Sequence, residues 1–489
     1  METLTLQLTN IQQNFGAEEL LTIPTLTVYQ GERIGIVGAN GTGKTTLLKI
    51  IQGELTPNHG TVKRATNFNY YRQVEQLQKD SSFEDMDWEL LQRLAVPKIV
   101  HGALSGGEQA KVRLAAVLAT YPDGLLLDEP TTHLDQQSVQ TIVEELQYYY
   151  GTLLFVSHDR FFLDQLATKI WEVADGTVTE YSGNFTAYQE QKKLARLAQV
   201  RDVQQYQNEK RRLEQAIQQK KMQAQKSAQV AKKKRQQNIR PDRLASSKQK
   251  DTVEKNLHKT AAALTSRLEQ LTVTAPVVKE RPIIFPKVPE LTLHNKFPIR
   301  GENFTLKKGQ RVLLANCDFQ FLLGKKIAIV GANGAGKTSL LQSILQEDPG
   351  IVVAQKVVFG TYQQLAYQMT SPLALLPYLL QQTQQTETFL RSILHNLGFS
   401  VNDLTKSVES LSGGEATRLQ IALLFVRPTN VLLLDEPTNF IDLNTMAALE
   451  KLIRAYPGTV LFTTHDTYFV KEVADEVYQL ADGKLTYQK

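Results

Sequence analysis

Short apolar runs that end in glycine-rich loops set the rhythm of this chain, and they occur twice. Arg33-Ile34-Gly35-Ile36-Val37 leads directly into GANGTGKT (residues 38–45), and Thr46-Leu47-Leu48-Lys49-Ile50-Ile51 follows as an apolar helix. Lys326-Ile327-Ala328-Ile329-Val330 leads into GANGAGKT (residues 331–338), followed by Ser339-Leu340-Leu341-Gln342-Ser343-Ile344. Further apolar runs cover residues 125–127 and 432–434, and another precedes each of VSHD (156–159) and TTHD (463–466). Runs without polar alternation are strands buried on both faces. The pattern therefore predicts an α/β fold: two tandem domains, each a mainly parallel sheet flanked by helices.

Between the repeats the pattern changes. Residues 184–240 contain no Gly and no Pro and are rich in Gln, Lys, Arg, Ala and Leu, which are good helix formers. Val203, Tyr206, Leu213 and Ile217 form a sparse stripe at coiled-coil spacing. After Pro241, residues 242–275 place Leu257, Leu264, Leu268 and Leu271 on one face. The expectation is two long antiparallel helices joined by a basic turn over residues 230–246. Pro276, Pro282, Pro286 and Pro289 mark the exit. The expected division is a first α/β domain over 1–189, a helical linker over 190–280 and a second α/β domain over 281–489.

Composition changes the picture in one place. A length of 489 residues allows two or three cores, with no apolar run of 18 residues to span a membrane. The N-terminal METLTLQLTN has neither the basic start nor the apolar stretch of a signal peptide. Cys317 is the only cysteine, which excludes an internal disulfide and a cysteine-based zinc site; a cytoplasmic protein is expected. The net charge of +5 hides a division. Residues 191–270 hold 21 of the 55 Lys+Arg and 7 of the 50 Asp+Glu, a balance of +14, leaving 34 against 43, or −9, elsewhere. Lys226, Lys232, Lys233, Lys234, Arg235, Arg240 and Arg243 crowd the expected linker tip. Such a cluster points to a polyanion bound through its phosphates, with strong salt dependence. Tyr206 is the only aromatic between residues 190 and 240, so shape and backbone recognition of folded RNA fits better than base stacking.

The glycine loops carry the chemistry. Strand, glycine loop and helix in that order form a phosphate-binding loop, in which Gly38, Asn40, Gly41 and Gly43 turn backbone N–H groups inward, as do Gly331, Asn333, Gly334 and Gly336. The helix starting there adds its positive dipole end, with Thr46 and Ser339 in its first turn. Lys44 and Lys337 reach the β- and γ-phosphates of ATP, while Thr45 and Thr338 offer hydroxyls to Mg²⁺. Asp128 and Asp435, each ending an apolar strand, hold the metal directly or through water. Glu129 and Glu436 follow them and are placed to deprotonate the attacking water. His158 and His465 are expected as γ-phosphate sensors, and Gln73 and Gln364 as contacts to water and Mg²⁺. Phe15 is a candidate for stacking on adenine or for the core.

LSGGE (residues 104–108 and 411–415) precedes LLLDEPTTHLD and LLLDEPTNFID (125–135 and 432–442). This full set, present twice, resembles the ATP-binding-cassette (ABC) superfamily across both domains. The resemblance implies that LSGGE opens a helix facing the γ-phosphate held by the other cassette. Ser412, Gly413 and Gly414 would then complete the site on Lys44, and Ser105, Gly106 and Gly107 the site on Lys337. Both sites retain the glutamate, Glu129 and Glu436, so both are expected to hydrolyse ATP. The second copy has Phe440-Ile441 where the first has His133-Leu134, and Thr464 before its histidine, differences that point to two unequal sites.

Two cassettes, no membrane domain and a long basic helical linker together resemble the ABC-F family, and within it the antibiotic-resistance (Vga/Lsa/Msr-type) ribosome protection branch. Only about 30 residues separate Gln73 from LSGGE, which leaves little room for a larger arm insertion. Residues 209–217 (EKRRLEQAI) and 171–193 also look like that branch. The resemblance implies a monomer with intramolecular cassette pairing and no stable membrane partner. It would bind the ribosome at the tRNA exit site, its linker reaching 23S rRNA and peptidyl-site tRNA. Three other readings stay open: a translation factor without drug protection, a tandem ATPase subunit of a membrane transporter, and a DNA-associated ATPase. The transporter reading has no use for the basic hairpin.

Overall fold

The computed structural model describes residues 3–16, 18–72, 88–94, 96, 106–132, 134, 136–236, 256, 259–260, 262–270, 283–286, 289–309, 311–332, 334–362, 371–439 and 441–488. Contacts divide the chain into two compact units: Met1–Tyr188 with Arg281–Lys489, and Gln189–Glu280.

In the first unit each cassette is built on a six-stranded sheet. The first cassette contributes β1 (Leu4–Phe15), β2 (Glu18–Tyr29), β3 (Arg33–Val37), β4 (His59–Arg64), β5 (Phe68–Tyr71), β6 (Gly124–Asp128), β7 (Thr152–Val156), β8 (Lys169–Ala174) and β9 (Thr177–Ser182). Its large sheet has the order β5-β6-β7-β3-β8-β9, parallel throughout except for the final β8–β9 hairpin. A separate antiparallel sheet, β2-β1-β4, stands beside it. The central strands β6 and β7 are buried along their whole length. That burial is the reason their sequence shows no alternation.

The second cassette repeats the plan. Its strands are β10 (Ile299–Lys308), β11 (Arg311–Phe321), β12 (Lys326–Val330), β13 (Ile351–Val353), β14 (Phe359–Tyr362), β15 (Val431–Asp435), β16 (Thr459–Thr463), β17 (Glu476–Ala481) and β18 (Lys484–Tyr487). The sheet orders are β14-β15-β16-β12-β17-β18 and β11-β10-β13, matching the first copy strand for strand. The repeat extends to backbone detail: left-handed Asn10, Glu129 and Asp175 are mirrored by Asn303, Glu436 and Asp482. Gly38 and Gly331 are offset by 293 residues, whereas Asp128 and Asp435 are offset by 307. The 14 extra residues fall between loop and acidic strand, in the region of helices Leu375–Gln382 and Glu387–Asn396.

The helix α6 (Phe185–Gln236), 52 residues without a break, begins in the first unit and continues along the chain into the second. It runs six residues past position 230, where the turn was expected to begin. Nothing in the sequence interrupts it, since Ala, Lys, Gln and Arg are all good helix formers. Leu213 and Ile217 are the buried part of its apolar stripe, and Val203 and Tyr206 are half-buried. Residues 262–269 are again helical, with Leu264 and Leu268 half-buried. Arg267 donates to Glu209 at 3.4 Å, which brings the returning chain beside α6.

Candidate nucleotide site between the cassettes

In each cassette the phosphate loop leaves the centre of the sheet and backs onto the neighbouring strand. A Cβ at Gly38 would come within 2.4 Å of the Val173 carbonyl oxygen, and one at Gly331 within 2.4 Å of that of Leu480. Only glycine fits so close an approach. The loop then turns into a helix, α1 (Lys44–Gln52) in the first cassette and Lys337–Gln346 in the second. Lys44 Nζ donates to the Gly38 and Ala39 carbonyls, both at 2.9 Å. Lys337 Nζ donates to Gly331 O at 2.9 Å and lies 3.1 Å from His465 Nε2. Burial lowers both lysine pKa values, against the pull of neighbouring carboxylates.

The acidic residues sit across from these loops. Asp128 Oδ2 accepts from Thr45 Oγ1 at 2.9 Å and from Tyr70 Oη at 3.1 Å. Asp435 Oδ1 accepts from Thr463 Oγ1 at 2.7 Å, a partner that the first copy cannot offer because Val156 stands there. Glu129 and Glu436 follow with φ of 49° and 45°, a left-handed backbone that non-glycine residues adopt at a cost of about 1–3 kcal/mol. Burial pushes both carboxyls up to about 7, opposed by Lys44 and Lys337 respectively. His158 Nε2 lies 3.3 Å from Glu129 Oε1 and 3.2 Å from Asn40 Oδ1. His465 Nε2 lies 3.2 Å from Glu436 Oε1. Burial and then Lys44 pull His158 down to about 3, so its imidazole is neutral.

The cassettes meet at these groups. The Asn40 backbone N–H donates to Asp442 Oδ2 at 3.1 Å, across 402 residues of sequence. A Cβ on Gly414 would lie 3.6 Å from Asn40 Cβ, so the second LSGGE segment faces the first phosphate loop. Ser412 caps helix Gly413–Val426 in a capping box with Glu415, which points that helix's N–H groups toward the loop. One cavity of about 1430 Å³ is lined by Asn40, Gly41, Gly43, Lys44, Thr45, Thr46, Asp128, Glu129 and His158 of the first cassette. Gly334, Gly336, Lys337, Thr338, Ser339, Glu436 and His465 of the second line it too. Gly106 and Gly107 open α3 (Gly106–Ala119). Gln73, Ser105, Asn333 and Gln364, and the side chain of Phe15, lie outside the described residues.

Sequence reasoning missed Leu20 and Leu313, which line the same cavity from the antiparallel sheets. They share the 293-residue offset of the glycine loops, and that was the available signal. Tyr70 and Thr463 were missed too, because nothing in their local pattern reveals a carboxylate partner.

The donor set suits a magnesium nucleotide. Each phosphate loop brings a lysine, a hydroxyl and a helix N-terminus to one place. Glu436 Oε2 is buried and accepts no hydrogen bond among the described residues, as fits a carboxylate awaiting a water.

The ABC transporter family matches residues 21–132 and 314–439. The erythromycin resistance ATP-binding protein MsrA of Staphylococcus epidermidis is 43% identical over 481 residues, covering 98% of both chains. This chain belongs to the ABC-F family, in its Msr-type resistance branch. It is an ATPase. The ribosome protection protein VmlR of Bacillus subtilis is 33% identical to this ABC-F protein over 98% of its length and 87% of VmlR. The solved structure of an RNase-L inhibitor shares the fold, with a TM-score of 0.65 at 18% identity over 96% of this chain and 87% of that one. Among the described residues, no helix is long and apolar enough to cross a membrane.

Proposed function

We propose that this ATPase protects ribosomes against antibiotics of the peptidyl-transferase centre. The observation that carries the reading is the junction of Asn40 with Asp442 and Gly414, because a nucleotide held there touches both cassettes. Only a ligand that contacts both halves differentially shifts their open–closed equilibrium. Driving that equilibrium from 1:99 to 99:1 takes about 5.5 kcal/mol, within reach of two multidentate sites. The relatives named for erythromycin resistance and ribosome protection support the biological end of the reading.

Bound ATP supplies the phosphoanhydride bond that is cleaved. Lys44 and Lys337 would hold its phosphates; Thr45, Gln73 and Asp128, with Thr338, Gln364 and Asp435, would hold Mg²⁺. Glu129 and Glu436 take the proton of the attacking water, and neutral His158, like His465 in the second site, orients the γ-phosphate. Leu20 and Leu313 meet the base. Ser412 and Gly414 complete the first site, and Ser105 and Gly107 the second. The protein works in the cytoplasm as a monomer divided at about residues 190 and 280. In its ATP-closed form it sits at the tRNA exit site, and the linker tip (Lys226, Lys232, Lys233, Lys234, Arg235, Arg240 and Arg243) meets 23S rRNA and peptidyl-site tRNA. Lys226 is exposed on α6; the side chains of 232–235, and Arg240 and Arg243 entirely, lie outside the described residues.

The test is co-sedimentation. Protein with Glu129→Gln and Glu436→Gln should lose about 10²–10⁴-fold in ATP turnover and accumulate on ribosomes when ATP is supplied. Failure to sediment with ribosomes refutes the ribosome reading. Inhibitory concentrations of macrolides, lincosamides, streptogramins, pleuromutilins and phenicols in a susceptible host then separate protection from a translation-factor role. No change for any drug favours the latter.

A further inference from the structure

We propose that Asp164 is a positioning residue that passes the approach of the second cassette to the first turn of α6. Its two carboxylate oxygens are divided between two elements. Oδ2 accepts from Tyr468 Oη at 2.9 Å, across 304 residues, and Oδ1 accepts from the Thr186 backbone N–H at 2.7 Å. Thr186 is the second residue of α6, and its N–H is one of the four that a helix start leaves without an internal partner. Asn184 reinforces the corner: its Nδ2 donates to Asp164 O at 3.4 Å, and its Oδ1 accepts from Ala187 N–H at 3.1 Å.

The placement of these groups gives the bridge its meaning. Asp164 lies on α5 (Arg160–Leu166), which starts directly after His158 and is capped by Asp159. Tyr468 lies in the first turn of helix Thr467–Val473, which starts directly after His465 and is capped by Asp466. One carboxylate thus joins the helix leaving the first nucleotide site, the helix leaving the second, and the start of the basic linker. Both Tyr468 and Asp164 are half-buried. Burial, and then the Asp164 bond, raise the Tyr468 phenol to about 12, so it remains a donor at any physiological pH. Tyr468 also hydrogen-bonds the Thr186 side chain. Both Tyr468 contacts span the cassettes and break when they part, whereas the bond from the Thr186 N–H to Asp164 lies within the first cassette and its helix. The gap between cassettes is therefore the two-state element, and Asp164 answers to it.

This inference rests on ATP-driven closure but not on the ribosome, and its test omits ribosomes so that the two can fail separately. Hydrogen exchange of residues 183–192 is followed in the purified full chain, nucleotide-free and with a non-hydrolysable ATP analogue. The wild type should exchange roughly two- to tenfold more slowly with the analogue, the range a single net hydrogen bond supplies. Tyr468→Phe should lose that nucleotide-dependent difference while keeping its nucleotide-free Tm, its nucleotide affinity falling by no more than the same roughly two- to tenfold. Asp164→Asn, which leaves one acceptor oxygen for two donors, should lose it as well and carries the test if Tyr468→Phe does not fold. Retention of the difference in the variants overturns the proposal. So does faster exchange by the same factor with and without nucleotide, which marks a static fastening.

Discussion

Asp159 shows how a single carboxyl can limit the stability of the closed pair. It caps α5 by accepting from Phe162 N–H at 3.0 Å, while burial raises its pKa to about 6 and Asp466 adds to the rise. A carboxyl whose folded pKa exceeds its unfolded value of 3.8 binds its proton more tightly in the native state. Stability therefore falls as pH rises from about 4 to about 6, then stays level. Asn caps a helix as well as Asp and carries no charge. Asp159→Asn should thus be more stable than wild type by about 1–3 kcal/mol at pH 7.5, with the gain shrinking toward pH 4. Denaturant unfolding at the two pH values decides it; an equal gain at both would rule out titration of this group as the cause.

At the scale of elements, Ser412 is the most economical probe. Its hydroxyl and Glu415 close the capping box on helix Gly413–Val426, and Lys406 Nζ holds Glu415 Oε1 at 2.9 Å. Ser412→Ala should cost about 1 kcal/mol in thermal or chemical unfolding. It should also weaken nucleotide binding at the Lys44 site more than at the Lys337 site, read by titration in proteins carrying one intact site. The strands and loops of both cassettes were legible in the sequence, because buried parallel strands are continuous apolar runs and the loops between them need glycine. The long α6 was legible for the same kind of local reason, a stretch with nothing to stop a helix. Tyr70, Thr463 and the Asp164 bridge were not legible. Each depends on a partner dozens or hundreds of residues away, which a period along the chain does not record. Leu20 and Leu313 fall between these cases, since comparing the two repeats could have paired them.

At the scale of the molecule, the division of charge sets the expected response to salt. Replacing Lys232, Lys233, Lys234 and Arg235 with Gln removes up to four phosphate contacts. The slope of log affinity for ribosomes against log salt should then become shallower by about 3. Filter binding across a salt series measures it, and an unchanged slope would move the contact elsewhere. The cassettes are joined more firmly than by nucleotide alone. Arg160 donates to Glu450 at 2.6 Å, with both side chains about 10% exposed. Breaking such a buried pair with Glu450→Ala should destabilise the protein by about 3–5 kcal/mol in equilibrium unfolding.

Leu443, the first residue of helix Leu443–Ala455, packs against the apolar cluster of the first cassette that holds Leu127, Val139 and Phe162. That seat has a consequence for biosynthesis. The ribosome delivers the first cassette about 250 residues before it delivers Leu443. At roughly 5–20 residues per second the nascent domain waits on the order of ten seconds to a minute with that apolar seat uncovered. Chaperones can reach the seat during that interval, and so can other nascent chains. Slow codons in the second half of the message would lengthen the exposure without changing a single residue of the finished protein.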